Sequence, residues 1–497
     1  MGEPNLLLVI DEGTTSTRAI VFDAGFNPVA QAQEEVGLSH PADGWVEQDG
    51  QDLWDKTLSV CREAIAAAGG ADKIAGIGIT NQRETTLIWN RETGAPIAPA
   101  IVWQDRRTAK VCDALRDEGC APDVQAETGL LLDPYFSATK IAWLLDNVPG
   151  ARAQAEAGEL AFGTVDTFLI WHLTGGAVHA TDVTNASRTL LYPLTLEAST
   201  AWSIDMTGLF NVPPSVLPQV MASSAHFGVT DPALFGRPIP ILSAIGDQQA
   251  ALVGQGCLAP GTAKITYGTG AFLVSNTGQT RPNSDHRLLG TIGYAIDGGA
   301  SAFALEGAIF NAGTAVKWLR DDLRLISNAA ESEARAAALP DNGGVYFVPA
   351  FTGIGAPHWD AGARGTITGL TRAAHADHIV RAGLEASAYQ TNDLLDAFEA
   401  DGASVSVLKV DGGMAANDWL MQFIADICDR PLERPGFTEM TALGAAALAG
   451  MQLGWTDPQA WASRPVPGRR FDPQMDDAKR QSLIKGWNKA LRQTRQA

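Results

Sequence analysis

The chain has 497 residues, of which 45% are hydrophobic and 19% charged, so it is neither a disordered nor a fibrous protein. Its formal net charge of −20 argues against nucleic acid or an anionic membrane as the main partner, since both require clustered lysine and arginine. The length predicts more than one domain, because a single hydrophobic core stops growing at about 250–300 residues.

The N-terminal part predicts short strands, polar turns and a helix in alternation. A polar turn over residues 11–18 separates the first two strands, and the helix carries apolar residues at helical spacing on one face. In chain order the predicted elements are the strands Leu6–Ile10, Ala19–Phe22 and Pro28–Gln33, the helix Asp52–Ala68 and the buried strand Ile74–Thr80. The alternation continues along the chain and is typical of α/β layers.

A second hairpin of the same kind is predicted near the middle of the chain. Its strands are Ala263–Thr266 and Ala271–Ser275, and both hairpins have Gly-Thr at the bend, at residues 13–14 and 268–269. We therefore predict one fold used twice, with the second copy beginning near residue 255.

A third glycine turn, at residues 410–413, lies between an apolar strand and a helix predicted over Asn417–Cys428. The polar tail of the chain predicts a surface helix over Asp476–Arg495.

The three glycine turns are candidate phosphate sites. Backbone N–H groups at a turn without bulky side chains can donate to phosphate oxygens. Each turn alone is also explained by a tight bend that needs glycine, and that alternative stays open. The P-loop and G-x-G-x-x-G patterns are absent, which argues against P-loop ATPases, protein kinases and Rossmann dehydrogenases.

Two aspartates follow predicted strands. Asp11 lies at the end of the first strand, and Asp247 follows the apolar run of residues 239–245. A carboxylate near a phosphate could hold Mg²⁺, and another could accept the proton of a substrate hydroxyl. Alternatively, each of these aspartates could cap a helix at a turn between a strand and a helix.

Polar and aromatic side chains suggest a pocket for a small polyol. Arg83 offers donors and Glu84 offers acceptors, which together suit vicinal hydroxyls, unless the two form a surface ion pair. Trp103, Tyr135 and Phe272 lie at the ends of elements and could wall an apolar pocket, although aromatic residues at such positions also belong to cores.

The cysteines and the N-terminus favour the cytoplasm. Five scattered cysteines without a C-x-x-C pair indicate buried thiols in a reducing compartment, not disulfides or a zinc site. The N-terminal segment carries Glu3 and no basic region, so we expect no signal peptide. No apolar run reaches the roughly 18 residues of a membrane span, so we expect no membrane insertion.

These residues and their flanking motifs resemble the glycerol-phosphorylating branch of the FGGY carbohydrate kinases, from Leu8 to about Gly450. The order NQRET, IVWQ and DPYFS is specific to this branch, whereas GDQQ and DGG occur throughout the family. The similar segments are GITNQRETTLIWN (78–90), AIVWQDRRTA (100–109), DPYFSATKIAWLLDN (133–147), FGTVDTFLIW (162–171), TNASRTLL (184–191), GDQQAALVGQG (246–256), ITYGTGAF (265–272), LEGAIFNAG (305–313), VPAFTGIGAPHWD (348–360), VDGGMAAN (410–417) and TALGAAALAG (441–450).

The resemblance implies two actin-like (ribonuclease-H-like) α/β domains with the active site in the cleft between them. Residues 1–253 would bind glycerol and phosphate, and residues 254–497 would bind the nucleotide. The implied activity is that of an ATP:glycerol 3-phosphotransferase, which forms sn-glycerol 3-phosphate at the entry to glycerol catabolism. ATP and Mg²⁺ would be the cofactors, and the chain would form a homodimer or homotetramer.

The resemblance also implies roles for single residues. Asp247 would be the catalytic base, and Asp11 and Asp247 would lie at the metal. Glycerol would be bound by Arg83, Glu84, Trp103, Tyr135, Asp247, Gln248 and Phe272. The nucleotide would be bound by Thr14, Thr15, Ser16, Arg18, Thr269, Gly313, Lys317, Gly413 and Asn417.

Two residues depart from the family pattern. Glu12 stands where glutamine is commoner and would add a negative charge beside the first hairpin unless it points away, and Lys317 stands where several relatives have glutamine near the base. Two alternative functions stay open. Another sugar or polyol kinase would change the residues of the polyol pocket, and a non-catalytic actin-like ATP-binding protein would need neither the pocket nor an acceptor base.

Overall fold

Two mixed sheets with the same central arrangement of strands organise the chain in this computed structural model. The structure describes residues 4–196, 201–360 and 362–495. Glu3, on which the signal-peptide expectation depends, lies outside the described residues. So do residue 1, where the first predicted domain begins, and residue 497, where the second ends.

The first half of the chain contains one main sheet, helices on its faces, and an inserted region of short strands and helices. Its strands are β1 (Leu6–Glu12), β2 (Ser16–Asp23), β3 (Pro28–Glu35), β4 (Glu47–Gln48), β5 (Ile74–Asn81), β6 (Leu87–Asn90), β7 (Ala100–Ile101), β8 (Leu160–Gly163), β9 (Ala180–Asp182), β10 (Gln219–Met221) and β11 (Ile241–Gly246). Its helices are α1 (Gly50–Ala67), α2 (Ala109–Asp117), α3 (Ala121–Thr128), α4 (Ser137–Asn147), α5 (Ala151–Glu156), α6 (Val165–Leu173), α7 (Val183–Ala186), α8 (Ile204–Leu209), α9 (Pro232–Phe235) and α10 (Asp247–Gly254), with 3₁₀ turns at Ala71–Lys73 and Pro214–Val216.

The second half repeats this organisation. Its strands are β12 (Ala263–Tyr267), β13 (Ala271–Gly278), β14 (Leu289–Ala295), β15 (Ser301–Ile309), β16 (Tyr346–Val348), β17 (Thr366–Thr368), β18 (Leu408–Asp411), β19 (Leu432–Pro435) and β20 (Gly468–Phe471). Its helices are α11 (Gly313–Asp321), α12 (Glu331–Ala337), α13 (Ala376–Ala400), α14 (Asp418–Cys428), α15 (Met440–Gln452), α16 (Pro458–Ala462) and α17 (Asp477–Arg495), with a 3₁₀ turn at Gly413–Ala416. Within the described ranges, no helix combines the length and the apolar character that crossing a bilayer requires.

The order of strands confirms that one fold is used twice. The first sheet has the order β11-β5-β1-β2-β3, and the second has β14-β15-β13-β12-β18-β19-β20. In the first, β1, β2 and β3 are antiparallel neighbours, and β5 and β11 run parallel to β1. In the second, β12, β13 and β15 are antiparallel neighbours, and β18 and β19 run parallel to β12.

The first hairpin is tighter than the sequence predicts. β1 extends to Glu12 and β2 begins at Ser16, with Asp11 opposite Arg18, so only residues 13–15 lie between the strands. The predicted turn over residues 11–18 is too long, because polar side chains can project from a strand end while their backbone groups stay paired.

The two halves join where α10 and α15 cross. A Cβ on Gly444 would lie 1.9 Å from the carbonyl oxygen of Ala250, and a Cβ on Gly254 would lie 2.0 Å from that of Met440. Only glycine lets these two backbones approach so closely. Although α15 lies late in the chain, it packs against apolar residues of the first sheet such as Leu7, so the two halves share part of one core.

The C-terminal helix is more buried than the tail composition predicts. Trp487 is 1% exposed, stacks on Tyr389 with ring centroids 5.3 Å apart, and donates its indole N–H to Asp393. The prediction of a surface helix is therefore wrong for one face of α17. A narrow apolar stripe anchors the helix, and the many charged residues around it hide that stripe in the overall composition.

A half-buried histidine in the first half gives the protein a testable pH dependence. Nε2 of His179 lies 2.8 Å from the carbonyl oxygen of Phe162, and Nη2 of Arg91 lies 3.2 Å from Nδ1. The neutral ring therefore donates through Nε2 and accepts through Nδ1. Burial, with a further contribution from Arg91, lowers the pKa of His179 from 6.5 to about 4.

We expect His179 to destabilise the fold at acid pH. The unfolded chain binds this proton near pH 6.5 and the folded chain only near pH 4, so stability is complete above 6.5 and is lost as the pH falls through this window. In His179→Gln an amide can still donate and accept but does not titrate. Between pH 7.5 and 5, the thermal midpoint of the variant should therefore rise relative to that of the wild type as the pH falls. A pH-independent difference between the two proteins would contradict this account.

Candidate active site

The carboxyl ends of parallel strands bring the predicted polar residues of the first half together. The strand register places Asn81 between Glu12 and Gly246, so β1, β5 and β11 end side by side. Open α/β sheets bind their ligands at this edge. The predicted polar residues that lie along it are Asp11, Arg83, Glu84 and Asp247.

Four charged residues from both halves form a buried cluster, the charge cluster, made of Arg83, Glu84, Arg188 and Glu306. Each is at most 3% exposed. Glu306, on β15, accepts from Arg83 at 2.5 and 3.1 Å and from Arg188 at 3.0 Å. Arg188 also donates to Glu84 at 2.6 Å. Nε of Arg83 lies 3.2 Å from Oδ1 of Asp247, so the cluster holds the arginine that faces the predicted base.

Glu306, Arg83 and Arg188 keep their charges despite burial. Burial opposes the ionised form of Glu306, but Arg188 and Arg83 outweigh it and lower the pKa of Glu306 to about 2. Burial likewise opposes the two guanidinium cations, yet Glu306 and Glu84 together with their neighbours outweigh it, and the pKa values of Arg83 and Arg188 rise above their usual range. Burial raises the pKa of Glu84, which has fewer cationic contacts than Glu306. Glu306 is thus the anion that balances both arginines.

Asp247 lies within reach of the cleft and is oriented by its neighbours. It begins α10 directly after β11, and its side chain is 32% exposed. The backbone N–H of Gln248 donates to Oδ1 of Asp247 at 2.7 Å, and Nε2 of Gln248 lies 3.2 Å from Oδ2. The buried Lys264, on β12, donates to Oε1 of Gln248 at 2.5 Å. Burial lowers the pKa of Lys264 to about 8, although Asp411 and Asp247 oppose this fall.

The three predicted aromatic residues do meet beside Arg83. The ring centroid of Trp103 lies 5.7 Å from that of Tyr135 and 6.3 Å from that of Phe272. The guanidinium of Arg83 lies 5.9 Å from the ring of Phe272. Because Phe272 belongs to β13 and the other two to the first half, this aromatic wall also spans the cleft between the halves.

The first hairpin is tied to the second half through Arg18. Thr14 and Thr15 form its bend, and Ser16 opens β2. Nε of Arg18 donates to Gln33, and Nη1 donates to the carboxylate of Glu439, which immediately precedes α15. In this structure the side chain of Arg18 is therefore engaged by protein carboxylate and amide groups.

Asp11 is a carboxylate in an acidic setting. Burial raises its pKa to about 7; Arg18 opposes this rise, and Glu439 and Asp247 add to it. The register places Asp11 at the same sheet edge as Asp247. A cation near Asp11 would remove the repulsion between these carboxylates.

The second hairpin is locked to the start of α11. The carbonyl oxygen of Thr269 accepts from the backbone N–H groups of Ala312 and Thr314 at 3.1 Å each, and the N–H of Gly313 donates to Gly268 at 3.1 Å. A Cβ on Gly313 would lie 2.5 Å from that Gly268 oxygen, so glycine is required at this contact. Thr269 and Gly313, predicted separately, thus belong to one compact unit.

The third turn lies against the second hairpin. Gly412 has φ = 90°, and a Cβ there would lie 2.5 Å from the carbonyl oxygen of Tyr267. Gly413 follows and opens a 3₁₀ turn. Asn417 caps α14, its Oδ1 accepting from the N–H of Leu420 at 2.8 Å, so that oxygen is committed to the helix.

Glu12 was expected to add a negative charge beside the first hairpin unless its side chain points away, and the structure shows where that side chain lies. This side chain is fully buried beneath α1, with Oε2 2.8 Å from Oγ1 of Thr57. Burial raises the pKa of Glu12 to about 8, so the group is mostly protonated at neutral pH and adds little negative charge beside the hairpin. Lys317 lies exposed on α11.

Sequence reasoning missed Arg188, Lys264 and Glu306. Arg188 lies in TNASRTLL, among small polar residues that look like a surface loop. Lys264 and Glu306 each occupy one position of a strand, where a single charged residue normally marks the solvent face. In the structure all three are buried and bonded across the two halves. The sole sequence signal was that Arg188 and Glu306 lie in segments that already resembled the family.

Comparison with known proteins identifies the family of both halves. Sequence models of the N-terminal and C-terminal domains of the FGGY family of carbohydrate kinases match residues 6–254 and 263–453. A glycerol kinase of Rhodospirillum centenum is 59% identical over 497 residues, which cover 100% of this chain and 99% of that protein.

Solved structures of kinases share the fold of this chain over nearly its whole length. The crystal structure of Plasmodium falciparum glycerol kinase with ADP is 38% identical, with a TM-score of 0.92 and coverage of 99% of each chain. A xylulose kinase from Rhodospirillum rubrum is 25% identical, with a TM-score of 0.83 over 97% of this chain and 98% of its own. The two-domain fold is therefore shared with kinases that differ in their named substrate.

Proposed function

The chain belongs to the FGGY family of carbohydrate kinases, and we infer that it is an enzyme that transfers a phosphoryl group from ATP to glycerol. Relatives named glycerol kinase match it along its whole length at 52–59% identity, whereas the xylulose kinase of similar fold shares 25%. The observation that carries the inference is the meeting of Asp247, the Arg83–Glu84 pair and the aromatic wall at one place in the cleft.

We propose that Asp247 accepts the proton of the glycerol hydroxyl that attacks the phosphoryl group. Its carboxylate is exposed enough to reach a ligand, and Arg83 and Gln248 fix its orientation. Arg83 and Gln248 would donate to glycerol oxygens, and Glu84 and Tyr135 would complete the hydrogen bonds. Positioning of this kind supplies most of the catalysis in phosphoryl transfer, which requires little covalent chemistry from the protein.

We propose that Trp103 and Phe272 pack on the carbon chain of glycerol. Their rings lie 6.3 Å apart beside the charge cluster, which suits a ligand with one apolar face and several hydroxyls. Because Phe272 comes from the second half, closure of the cleft would complete this wall and exclude water that competes with glycerol.

The nucleotide would lie across the hairpins. We propose that Thr14, Thr15, Ser16 and Arg18 face the terminal phosphates from residues 1–253, and that residues 254–497 supply the rest of the nucleotide site. In that second part Thr269, Gly313, Lys317, Gly413 and Asn417 would lie around ATP. Arg18 would have to leave Glu439 to reach a phosphate, and the negative charge of ATP supplies a competing partner.

Asp11 and Asp247 fit a magnesium ion shared with ATP. Mg²⁺ prefers oxygen ligands, keeps several waters and needs only one or two carboxylates besides the phosphates. The two carboxylates repel each other across the sheet edge, so a nearby dication is favoured there. When bound, Mg²⁺ supplies neutralisation of the phosphate charge.

The first experiment is a coupled assay of ADP release from MgATP, without acceptor and with glycerol, other polyols and pentuloses. We expect ADP release that depends on an acceptor and is fastest with glycerol. Release that ignores the acceptor, or no release, would instead support an ATP-binding or assembly protein. A faster reaction with a longer polyol or a pentulose would retain the kinase and overturn the assignment of the pocket.

We also propose a cytoplasmic location and a homo-oligomer, a dimer or a tetramer. The location is supported by five free cysteines, which persist in a reducing compartment. The oligomer is supported by the family resemblance, and size-exclusion chromatography with light scattering would test it.

A further inference from the structure

A closed ring of hydrogen bonds, the hairpin ring, joins the aromatic wall to the bend of the first hairpin. Its members are Trp103, Thr85, Gln82, Gln48 and Thr14. The indole N–H of Trp103 donates to Oγ1 of Thr14 at 2.9 Å, and its backbone N–H donates to Oγ1 of Thr85 at 3.3 Å. Thr85 donates to Gln82 at 3.0 Å, Gln82 to Gln48 at 2.8 Å, and Gln48 to the carbonyl oxygen of Thr14 at 2.7 Å.

The direction of each bond in the ring is determined. The carbonyl oxygens of Thr14 and Gly13 can only accept, so Nε2 of Gln48 faces Thr14, and Nε2 of Gln82 faces Gly13 and Oε1 of Gln48. Oε1 of Gln82 is thereby left to accept the hydroxyl hydrogen of Thr85. Gln48, Gln82 and Thr85 are at most 2% exposed. Gln82 also lies 3.2 Å from the carbonyl oxygen of Gly13. A buried and satisfied network of this kind is rigid and admits one arrangement of the bend.

The ring leaves one group of Thr14 available. Its carbonyl oxygen accepts from Gln48, and its hydroxyl oxygen accepts from the indole of Trp103. A hydroxyl that accepts one bond still has its own hydrogen to donate. Within the described part of the chain, that hydrogen has no acceptor. The indole therefore orients a free donor at the bend where the proposed function places the terminal phosphates.

We propose that Trp103 is a positioning residue for phosphoryl transfer, acting through Thr14, in addition to its packing on the acceptor. The proposal rests on the proposed function. One indole then belongs to two sites: its ring faces the acceptor, and its N–H orients the Thr14 hydroxyl toward the transferred phosphoryl group. If acceptor binding displaces the ring of Trp103, the hydroxyl of Thr14 moves with it through their hydrogen bond. Gln48 and Gln82 keep the backbone of the bend in place through its carbonyl oxygens.

A double-mutant cycle tests this coupling. Trp103→Phe keeps an aromatic ring and removes the N–H, and Thr14→Val keeps the shape of threonine and removes the hydroxyl. We expect Trp103→Phe to lower kcat about tenfold and to raise KM for glycerol, as loss of one hydrogen bond and some packing would do. In the Thr14→Val background, Trp103→Phe should raise KM as before but leave kcat unchanged.

Equal kcat losses in both backgrounds would show that the indole does not act through Thr14 and would overturn the proposal. Wild-type protein without glycerol-dependent ADP release would instead overturn the proposed function, and this inference with it.

A second variant keeps the test decisive if the double variant does not fold. Gln48→Met removes the donor to the Thr14 carbonyl, and Gln48 is not itself among the residues proposed to touch glycerol or ATP. We expect kcat to fall several-fold with KM for glycerol unchanged. The matched control is Gln51→Met, since Gln51 is exposed on α1 and its side chain, among the residues that the structure describes, bonds only Asp55; its kcat should not change. An unchanged kcat in Gln48→Met would overturn the proposal.

Discussion

Replacing Asp247 by asparagine should lower the rate of phosphoryl transfer to glycerol by about 10²–10⁴-fold, the usual cost of losing a general base. Asparagine has nearly the same shape, and its amide could still occupy the positions near Gln248 and Arg83, but it cannot accept the proton of a hydroxyl at neutral pH. Nucleotide binding, measured by calorimetry, should stay nearly intact, because the proposed phosphate contacts lie on the hairpins and Asp11 would still hold the magnesium ion. The rate is measured by the coupled ADP assay at saturating glycerol and MgATP.

The matched control for this substitution is Asp231→Asn. Asp231 caps the short helix α9 by accepting from the N–H of Ala233, and asparagine caps a helix as well as aspartate does. This variant should retain the wild-type rate. A loss of less than tenfold in Asp247→Asn would show that another group accepts the proton, whereas an equal loss in both variants would point to a general effect on the fold.

The sequence allowed the outline of both sheets and of the site to be predicted, because those features leave local signals. Apolar runs bounded by Gly-Thr bends marked the hairpins, and the register of the sheets confirms the repeat that they suggested. Arg83, Glu84 and Trp103 stood out because polar and aromatic residues directly follow strands. Asp11 and Asp247 stood out for the same reason, and the structure does bring their sheet positions together.

What could not be predicted depends on contacts between the halves. Lys264 and Glu306 lie on strands of the second sheet, are fully buried, and bond side chains of the first half, namely Gln248, Arg83 and Arg188. A local pattern cannot distinguish such residues from solvent-facing charges, since the same alternation describes both. The same reason explains why the burial of Trp487 was not predicted, since Tyr389, on which it stacks, is far from it in the sequence. Glu12 shows the converse: a charge that looked exposed to ligand is buried and mostly neutral.

Glu306→Gln should destabilise the protein by about 3–5 kcal/mol and weaken glycerol binding, because it removes the anion that balances two buried arginines. Glutamine preserves the volume of the side chain, so the loss reports charge and not a cavity. Glu84 and the partly exposed Asp247 would then face Arg83, and Glu84 would face Arg188. The repulsion between the two arginines, no longer balanced by Glu306, would displace the arginine that the proposed function places on glycerol. Urea unfolding and calorimetric titration with glycerol measure the two effects separately.

Two observations would separate the effect of Glu306→Gln from the ordinary loss of one ion pair: the pH dependence of the stability difference, and the same substitution in an exposed ion pair. The pKa of Glu306 is lowered from 4.5 to about 2, so its contribution to stability is complete above 4.5 and is lost as the pH falls through about 2. The difference between wild type and variant should therefore be constant from pH 6 to 7, below the titration of Lys264, whose pKa of about 8 itself depends on Glu306. The control is Glu433→Gln, which breaks the pair of Glu433 with Arg470, both nearly half exposed, and should cost at most about 1 kcal/mol. A Glu306→Gln protein no less stable than this control would mean that the charge cluster does not bind the two halves together, and the position of Arg83 would then need another explanation.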